Sequence, residues 1–193
     1  SQLAHVLFPL GDLTKPEVAD LARAKKLPVI HDSESQDLCF VTAGGYAEFI
    51  EKRRPHLHQP GPITDTAGRL LGRHEGCYHF TVGQREGLGI AAAQRLYVKE
   101  LHADTNTVVV APLEETLKPG CRVEDVHWIR PAPGAAMECD VQLRYRHAGA
   151  RATVRPTKPG GAQVDFTEPQ FAVTPGQAAV FYDGDEVLGG GWI

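Results

Sequence analysis

From Leu96 to the C-terminus the chain alternates apolar and polar residues in short runs separated by turn-forming residues. This constrains the fold more than any other feature of the sequence. Successive side chains of a strand point to opposite faces, so a period of two buries one face and wets the other. The runs predict strands at 96–102, 106–111, 121–130, 137–146, 150–157, 162–167, 178–183 and 186–193. Turn signals fall between them at Asp104-Thr105-Asn106, His147-Ala148-Gly149, Pro159-Gly160-Gly161 and Asp183-Gly184. Many short strands joined by tight turns make a small antiparallel barrel or sandwich.

The first part of the chain reads differently. Residues 1–13 form a short apolar run stopped by Pro9 and Gly11, the pattern of a buried strand's end or its exit loop. Thr14 is placed to cap a helix, with Pro16 and Glu17 in its first turn and Val18, Leu21 and Ala22 on one face. The helix is expected over 15–26, stopped by Pro28. A strand remnant followed by a helix reads as the closing piece of an α/β unit, and the chain is expected to be the C-terminal part of something longer. A second helix is expected to start at Thr42 or Gly44 and to end in Glu51-Lys52-Arg53-Arg54-Pro55. Residues 61–90 are punctuated by glycine, which implies tight turns in a small compact domain. The run Gly83-Gln84-Arg85-Glu86-Gly87-Leu88-Gly89 lacks the lysine of a phosphate-binding loop and reads as a structural glycine loop.

Composition excludes more than it selects. No run approaches the roughly 18 apolar residues that cross a bilayer, and the N-terminus lacks a signal-peptide pattern. The four cysteines are widely spaced and never form CxxC, which argues against a zinc ribbon or a disulfide scaffold. A reducing cytoplasm is the natural compartment. His56 with His58, or His74 with His79, lack the ligand spacing of a metal site, so no metal is expected.

A net charge of −4 does not by itself mark a nucleic-acid binder, but its distribution is uneven. Residues 141–160 hold Arg144, Arg146, Arg151, Arg155 and Lys158 with no acid, and the segment from 161 onward has acids with no Lys or Arg. Alternation puts Cys139, Val141, Leu143 and Tyr145 on one face of a hairpin and Asp140, Gln142, Arg144 and Arg146 on the other. Arg151, Thr153 and Arg155 share a face of the return strand, and a turn at His147-Ala148-Gly149-Ala150 would make Arg146 and Arg151 near neighbours across the hairpin. Uncompensated like charges across a hairpin favour a bridging anion, and phosphate contact is the expected role.

The stretch Glu34-Ser35-Gln36-Asp37-Leu38-Cys39-Phe40 sets a cysteine behind polar residues. A cysteine beside Leu and Phe is ordinarily a small buried hydrophobe. A partly exposed thiolate in a polar setting is instead a nucleophile.

Several motifs stand together in order. They are Phe8-Pro9-Leu10-Gly11 with Lys15 and Glu17-Val18, Ser35-Gln36-Asp37-Leu38-Cys39-Phe40, Gly72-Arg73-His74-Glu75-Gly76, and Thr81-Val82-Gly83-Gln84-Arg85-Glu86-Gly87-Leu88-Gly89-Ile90. Arg144-Tyr145-Arg146, Val173-Thr174-Pro175-Gly176-Gln177, Val180-Phe181-Tyr182 and Gly189-Gly190-Gly191 follow. The ordered set covers nearly the whole chain and resembles the tRNA-specific 2-thiouridylase family. The resemblance implies an α+β, mostly β chain in three parts. Residues 1–42 would finish a PP-loop catalytic domain, 43–110 would form a small central domain, and 111–193 a C-terminal antiparallel β-barrel.

The resemblance also implies ATP-dependent thiolation of C2 of the wobble uridine of tRNA. Cys39 would carry the persulfide, with sulfur supplied by a cysteine desulfurase or a sulfur-relay protein. Arg144, Tyr145 and Gln177 match positions that touch tRNA. The family's SGGxDS loop for the co-substrate ATP and its second cysteine precede the region matched, and none of Cys77, Cys121 or Cys139 sits in a matching motif. These 193 residues alone are therefore expected to be inactive. Ile30-His31-Asp32-Ser33 stands where relatives often carry a lysine. Two other readings remain: an RNA-binding module without chemistry, and a different PP-loop ATP-pyrophosphatase.

Overall fold

The computed structural model describes residues 2–28, 45–145 and 147–193. Two compact units divide the chain, Ser1–Ala43 and Gly44–Ile193.

In the first unit, helix α1 spans Lys15–Ala24. Its start is fixed as the sequence predicts. The Thr14 backbone N–H donates to Glu17 Oε2 at 2.7 Å, and the Thr14 hydroxyl donates to the same oxygen at 2.7 Å. These bonds satisfy groups that a helix N-terminus leaves open, and they hold the Glu17 carboxyl below its ordinary range. Of the two readings of residues 1–13, a strand's end or its exit loop, the described residues there hold no strand. Gln2–His5 form a 3₁₀ turn instead, and Val6, Leu7, Phe8 and Leu10 are exposed. An apolar run becomes a strand only where a neighbouring strand accepts its hydrogen bonds, and among the described residues none does so. The Cys39 stretch and the start expected for the second helix lie outside the described residues.

The second unit opens with α2, Gly45–Arg53, and then holds two β-assemblies. A four-stranded sheet comprises β1 (Gly61–Thr64), β2 (Leu70–His74), β3 (Tyr97–His102) and β4 (Thr107–Ala111), in the order β2-β1-β4-β3. The β1–β4 pair is parallel and the other two are antiparallel. Ile63, Val98, Val108 and Val110 are fully buried and form its core with Leu88. Strands β1 and β2 fall in the glycine-punctuated stretch, where they are too short to show a period. Asp65 makes their turn: its carboxylate accepts from the backbone N–H of Ala67 at 3.0 Å and of Arg69 at 2.8 Å. Gly61 is required by close approach, because a Cβ there would sit 2.0 Å from the Asn106 carbonyl oxygen and 2.7 Å from the His74 ring. His74 itself is buried; its Nδ1 accepts from the Gly76 N–H at 3.0 Å, and burial lowers its pKa.

A short helix α3 (Leu113–Thr116) leads into a closed barrel of six antiparallel strands. These are β5 (Lys118–Trp128), β6 (Met137–Gln142), β7 (Ala150–Thr157), β8 (Gly161–Gln170), β9 (Ala178–Asp183) and β10 (Glu186–Trp192), arranged β10-β5-β8-β7-β6-β9. Of the residues predicted to share one face of the hairpin, Cys139, Val141 and Leu143 point inward and are buried; Val154, Val164 and Phe181 are fully buried beside them. Closure depends on β10, which pairs with both β5 and β9. A Cβ at Gly189, Gly190 or Gly191 would meet a neighbouring backbone oxygen at 2.5, 2.6 or 2.3 Å, so only glycine lets the last strand approach both partners. Among the described residues no helix is long and apolar enough to cross a membrane.

Candidate functional site

The β6–β7 connection is where the structure departs most usefully from the alternation. Strand β6 ends at Gln142 rather than at 146, so Arg144 and Tyr145 belong to a loop. The cause is His147. Its backbone N–H donates to the Arg144 carbonyl at 3.1 Å, and its carbonyl accepts from Gln142 Nε2 at 2.9 Å. Its Nδ1 accepts from the Leu143 N–H at 3.4 Å, and its Nε2 lies 3.3 Å from Gln170 Oε1. These bonds replace the ladder that would have continued the strand. Leu143 stays buried, whereas Tyr145, expected on the same face, is 67% exposed. Arg146 lies outside the described residues.

The loop brings the three predicted tRNA-contacting residues together. Arg144, Tyr145 and Gln177 line one cavity of about 220 Å³, with Gln142, Ala178 and Val180. Arg144 and Gln177 are far apart in sequence, and the β6–β9 pairing, with Gln142 opposite Val180, joins their loops. Arg144 Nη1 donates to the Phe171 carbonyl at 3.1 Å. That bond orients a guanidinium that has five N–H donors in all, and Arg144 has no carboxylate partner among the described residues. Gln177 is exposed in a tight turn whose ends are tied to the C-terminal residue: the Gly176 N–H donates to the Ile193 carbonyl at 2.8 Å, and the Ile193 N–H donates to the Gln177 carbonyl at 2.9 Å.

Other cations singled out by the sequence are compensated. Arg151 lies 3.2 Å from Glu138 and 4.0 Å from Asp140, and Arg155 pairs with Asp165. The expectation of an uncompensated Arg151–Arg155 face is therefore corrected. The segment itself carries no acid, but its neighbours β6 and β8 supply them across the sheet. The sequence also missed a second cavity, of about 440 Å³, between β3, the start of β5 and the 173–175 loop. Lys99 and Lys118 line it with Glu100, which lies 3.3 Å from His102, and neither lysine has an acidic partner among the described residues. No local motif links these two lysines; only the packing of sheet on barrel does.

The cysteines fall into two groups. Cys77, Cys121 and Cys139 are free thiols, and Cys139 is fully buried. Burial pushes the Cys121 and Cys139 thiols up to about 11, which suppresses the thiolate that sulfur chemistry needs. Cys39 lies outside the described residues. The glycine loop at 83–89 has the structural role expected of it: the Gly83 N–H donates to the Val98 carbonyl at 2.8 Å, and the Val98 N–H to the Gln84 carbonyl at 2.9 Å.

Comparison with known proteins covers the chain in three successive matches. Residues 1–43 match the family described as tRNA methyl transferase HUP domain, and 47–112 its PRC-barrel domain. Residues 118–193 match an aminomethyltransferase beta-barrel domain of the same series. Proteins named tRNA-specific 2-thiouridylase MnmA are similar along the whole chain. The one from Geobacter metallireducens is 50% identical over 192 residues, covering 100% of this chain and 52% of its own length. The one from Magnetococcus marinus is 46% identical over 194 residues, covering 100% and 54%. The one from Moorella thermoacetica is 45% identical over 194 residues, covering 100% and 54%. The chain thus spans about half the length of the curated relatives it matches. With the ordered motifs, the closed barrel and identities of this size along every residue, the chain belongs to the tRNA-specific 2-thiouridylase family.

Proposed function

We propose that the protein takes part in ATP-dependent thiolation of C2 of the wobble uridine in tRNA. In this reading ATP adenylates the C2 oxygen. Cys39 receives sulfane sulfur from a cysteine desulfurase or a relay protein and holds it as a persulfide. A second thiol attacks the Cys39 sulfur, forming a disulfide and freeing the terminal sulfur, which attacks C2 and displaces AMP. The high, burial-raised pKa values of Cys121 and Cys139 favour a second thiol other than these two. The SGGxDS loop with which the family holds ATP does not occur among these 193 residues, so we assign them no thiolation on their own. A division into 1–42, 43–110 and 111–193 and a cytoplasmic location accompany this reading.

The observation that carries the tRNA assignment is the meeting of Arg144, Tyr145 and Gln177 around one cavity. A guanidinium, an exposed aromatic ring and a side-chain amide supply phosphate contact, base stacking and hydrogen bonding, the three modes by which proteins hold unpaired RNA. The family descriptions speak of methyl transfer and the relatives' names of thiolation. The Cys39 motif favours thiolation, because methyl transfer to a base needs no sulfur-carrying thiol.

Binding of tRNA by the full-length protein tests the interface. Arg144→Ala should weaken it roughly tenfold and flatten the slope of log K against log salt by about one unit. An unchanged slope would remove Arg144 from the phosphate contacts. The activity is tested by expressing the full-length gene in a host lacking its own thiolase and measuring 2-thiouridine in digested tRNA. A digest without 2-thiouridine would overturn the proposal.

A further inference from the structure

The loops around α2 assemble a cluster that sequence spacing did not announce. Glu51 lies in the last turns of α2, His58 follows the 3₁₀ turn Pro55–Leu57, and His79 ends the 3₁₀ turn Cys77–His79. Their side chains converge. His58 Nδ1 and His79 Nε2 each lie 3.5 Å from the same oxygen, Glu51 Oε1, and the three ligand atoms all lie within 4.8 Å of one another. An ion with ligands at about 2.1 Å in tetrahedral array separates them by roughly 3.4 Å, which the two 3.5 Å distances to Glu51 Oε1 match.

We propose that Glu51, His58 and His79 bind one divalent transition-metal ion of the zinc class, which clips α2 to the four-stranded sheet.

Three features support this. First, two imidazole nitrogens and a carboxylate oxygen form the mixed donor set that suits zinc and its first-row neighbours, whereas magnesium and calcium take oxygen ligands. Second, the carboxylate already has an outer partner. The Tyr78 hydroxyl donates to Glu51 Oε1 at 2.7 Å and lies 3.2 Å from His58 Nδ1, so it touches two of the three ligand atoms. Such second partners orient metal ligands. Third, α2 has no fully buried residue, and its apolar Phe49 and Ile50 are only partly buried, so a metal clip would add to the packing that holds it. Three protein ligands leave a fourth position open to water, and Tyr78 and His79 also line a cavity of about 760 Å³.

The test is titration of the full-length protein, stripped with chelator, with Co²⁺ and with Zn²⁺. Cobalt bound by nitrogen and oxygen ligands gives visible d–d bands without the near-ultraviolet charge transfer of thiolate ligation, which separates this site from any cysteine site. One equivalent is expected to give those bands, with zinc displacing it and raising Tm. His58→Ala/His79→Ala should weaken binding at least tenfold, with circular dichroism confirming that the variant is folded. Because the double variant could fail to fold, His58→Ala alone, at a half-exposed position, is the second probe and should show the same loss. Absence of the bands, bands with thiolate charge transfer, or undiminished affinity in folded His58→Ala would overturn the proposal and leave a hydrogen-bonded His–Glu–His cluster only.

Discussion

Cys39→Ser in the full-length protein should leave no measurable 2-thiouridine in a host without its own thiolase, a loss of at least about a hundredfold against wild type. A serine hydroxyl cannot accept sulfane sulfur, because its oxygen is not ionised near neutral pH and forms no stable analogue of a persulfide. The substitution removes one polarizable atom and leaves the shape of the side chain, so tRNA affinity should stay within twofold. That combination separates chemistry from folding. Cys121→Ser, at a thiol held up to about 11 by burial, should retain thiolation and serves as the control. If Cys39→Ser modifies tRNA normally, Cys39 is a buried hydrophobe and the sulfur carrier lies elsewhere; if it loses tRNA binding as well, Cys39 is structural.

Phe181→Ala should cost about 3–5 kcal/mol in the stability of the barrel, the range for emptying a buried aromatic site. Phe181 is the largest fully buried side chain described, on β9 between β6 and β10, opposite Val141 and Gly189. Its ring lies 5.5 Å from that of Trp128 on β5, so one side chain reaches strands around much of the barrel. The surrounding strands are closed on themselves and cannot collapse into the void, which puts the expected cost in the upper part of the range. Urea unfolding measures it: the midpoint should fall with the slope unchanged. A cost under about 1 kcal/mol would mean that the barrel interior repacks freely, contrary to its full burial.

Particular residues show how far the sequence could be read. Thr14 and Glu17 announced α1 because a cap is a local device, complete within three residues. The inward set Cys139, Val141 and Leu143 was legible because period two is local as well. The same rule placed Tyr145 inward, and it failed there because His147 ends the strand through bonds that include one to Gln170 on β8. Strands β1 and β2 escaped notice because four or five residues holding Gly and Pro carry no readable period. The acids beside Arg151 and Arg155 stand on other strands, so counting charge along one segment could not find them.

The sequence by itself determined the family, the mostly β architecture, the cysteine motif and the three tRNA-contact candidates, since each rests on residue order or on a local period. Only the tertiary structure decided which cations stay uncompensated, that Arg144 and Gln177 share one cavity, and that Glu51, His58 and His79 meet. The physical reason is the same in each case: these are contacts at long sequence separation, set by strand register and by the docking of loops onto the sheet, and no period along the chain encodes them.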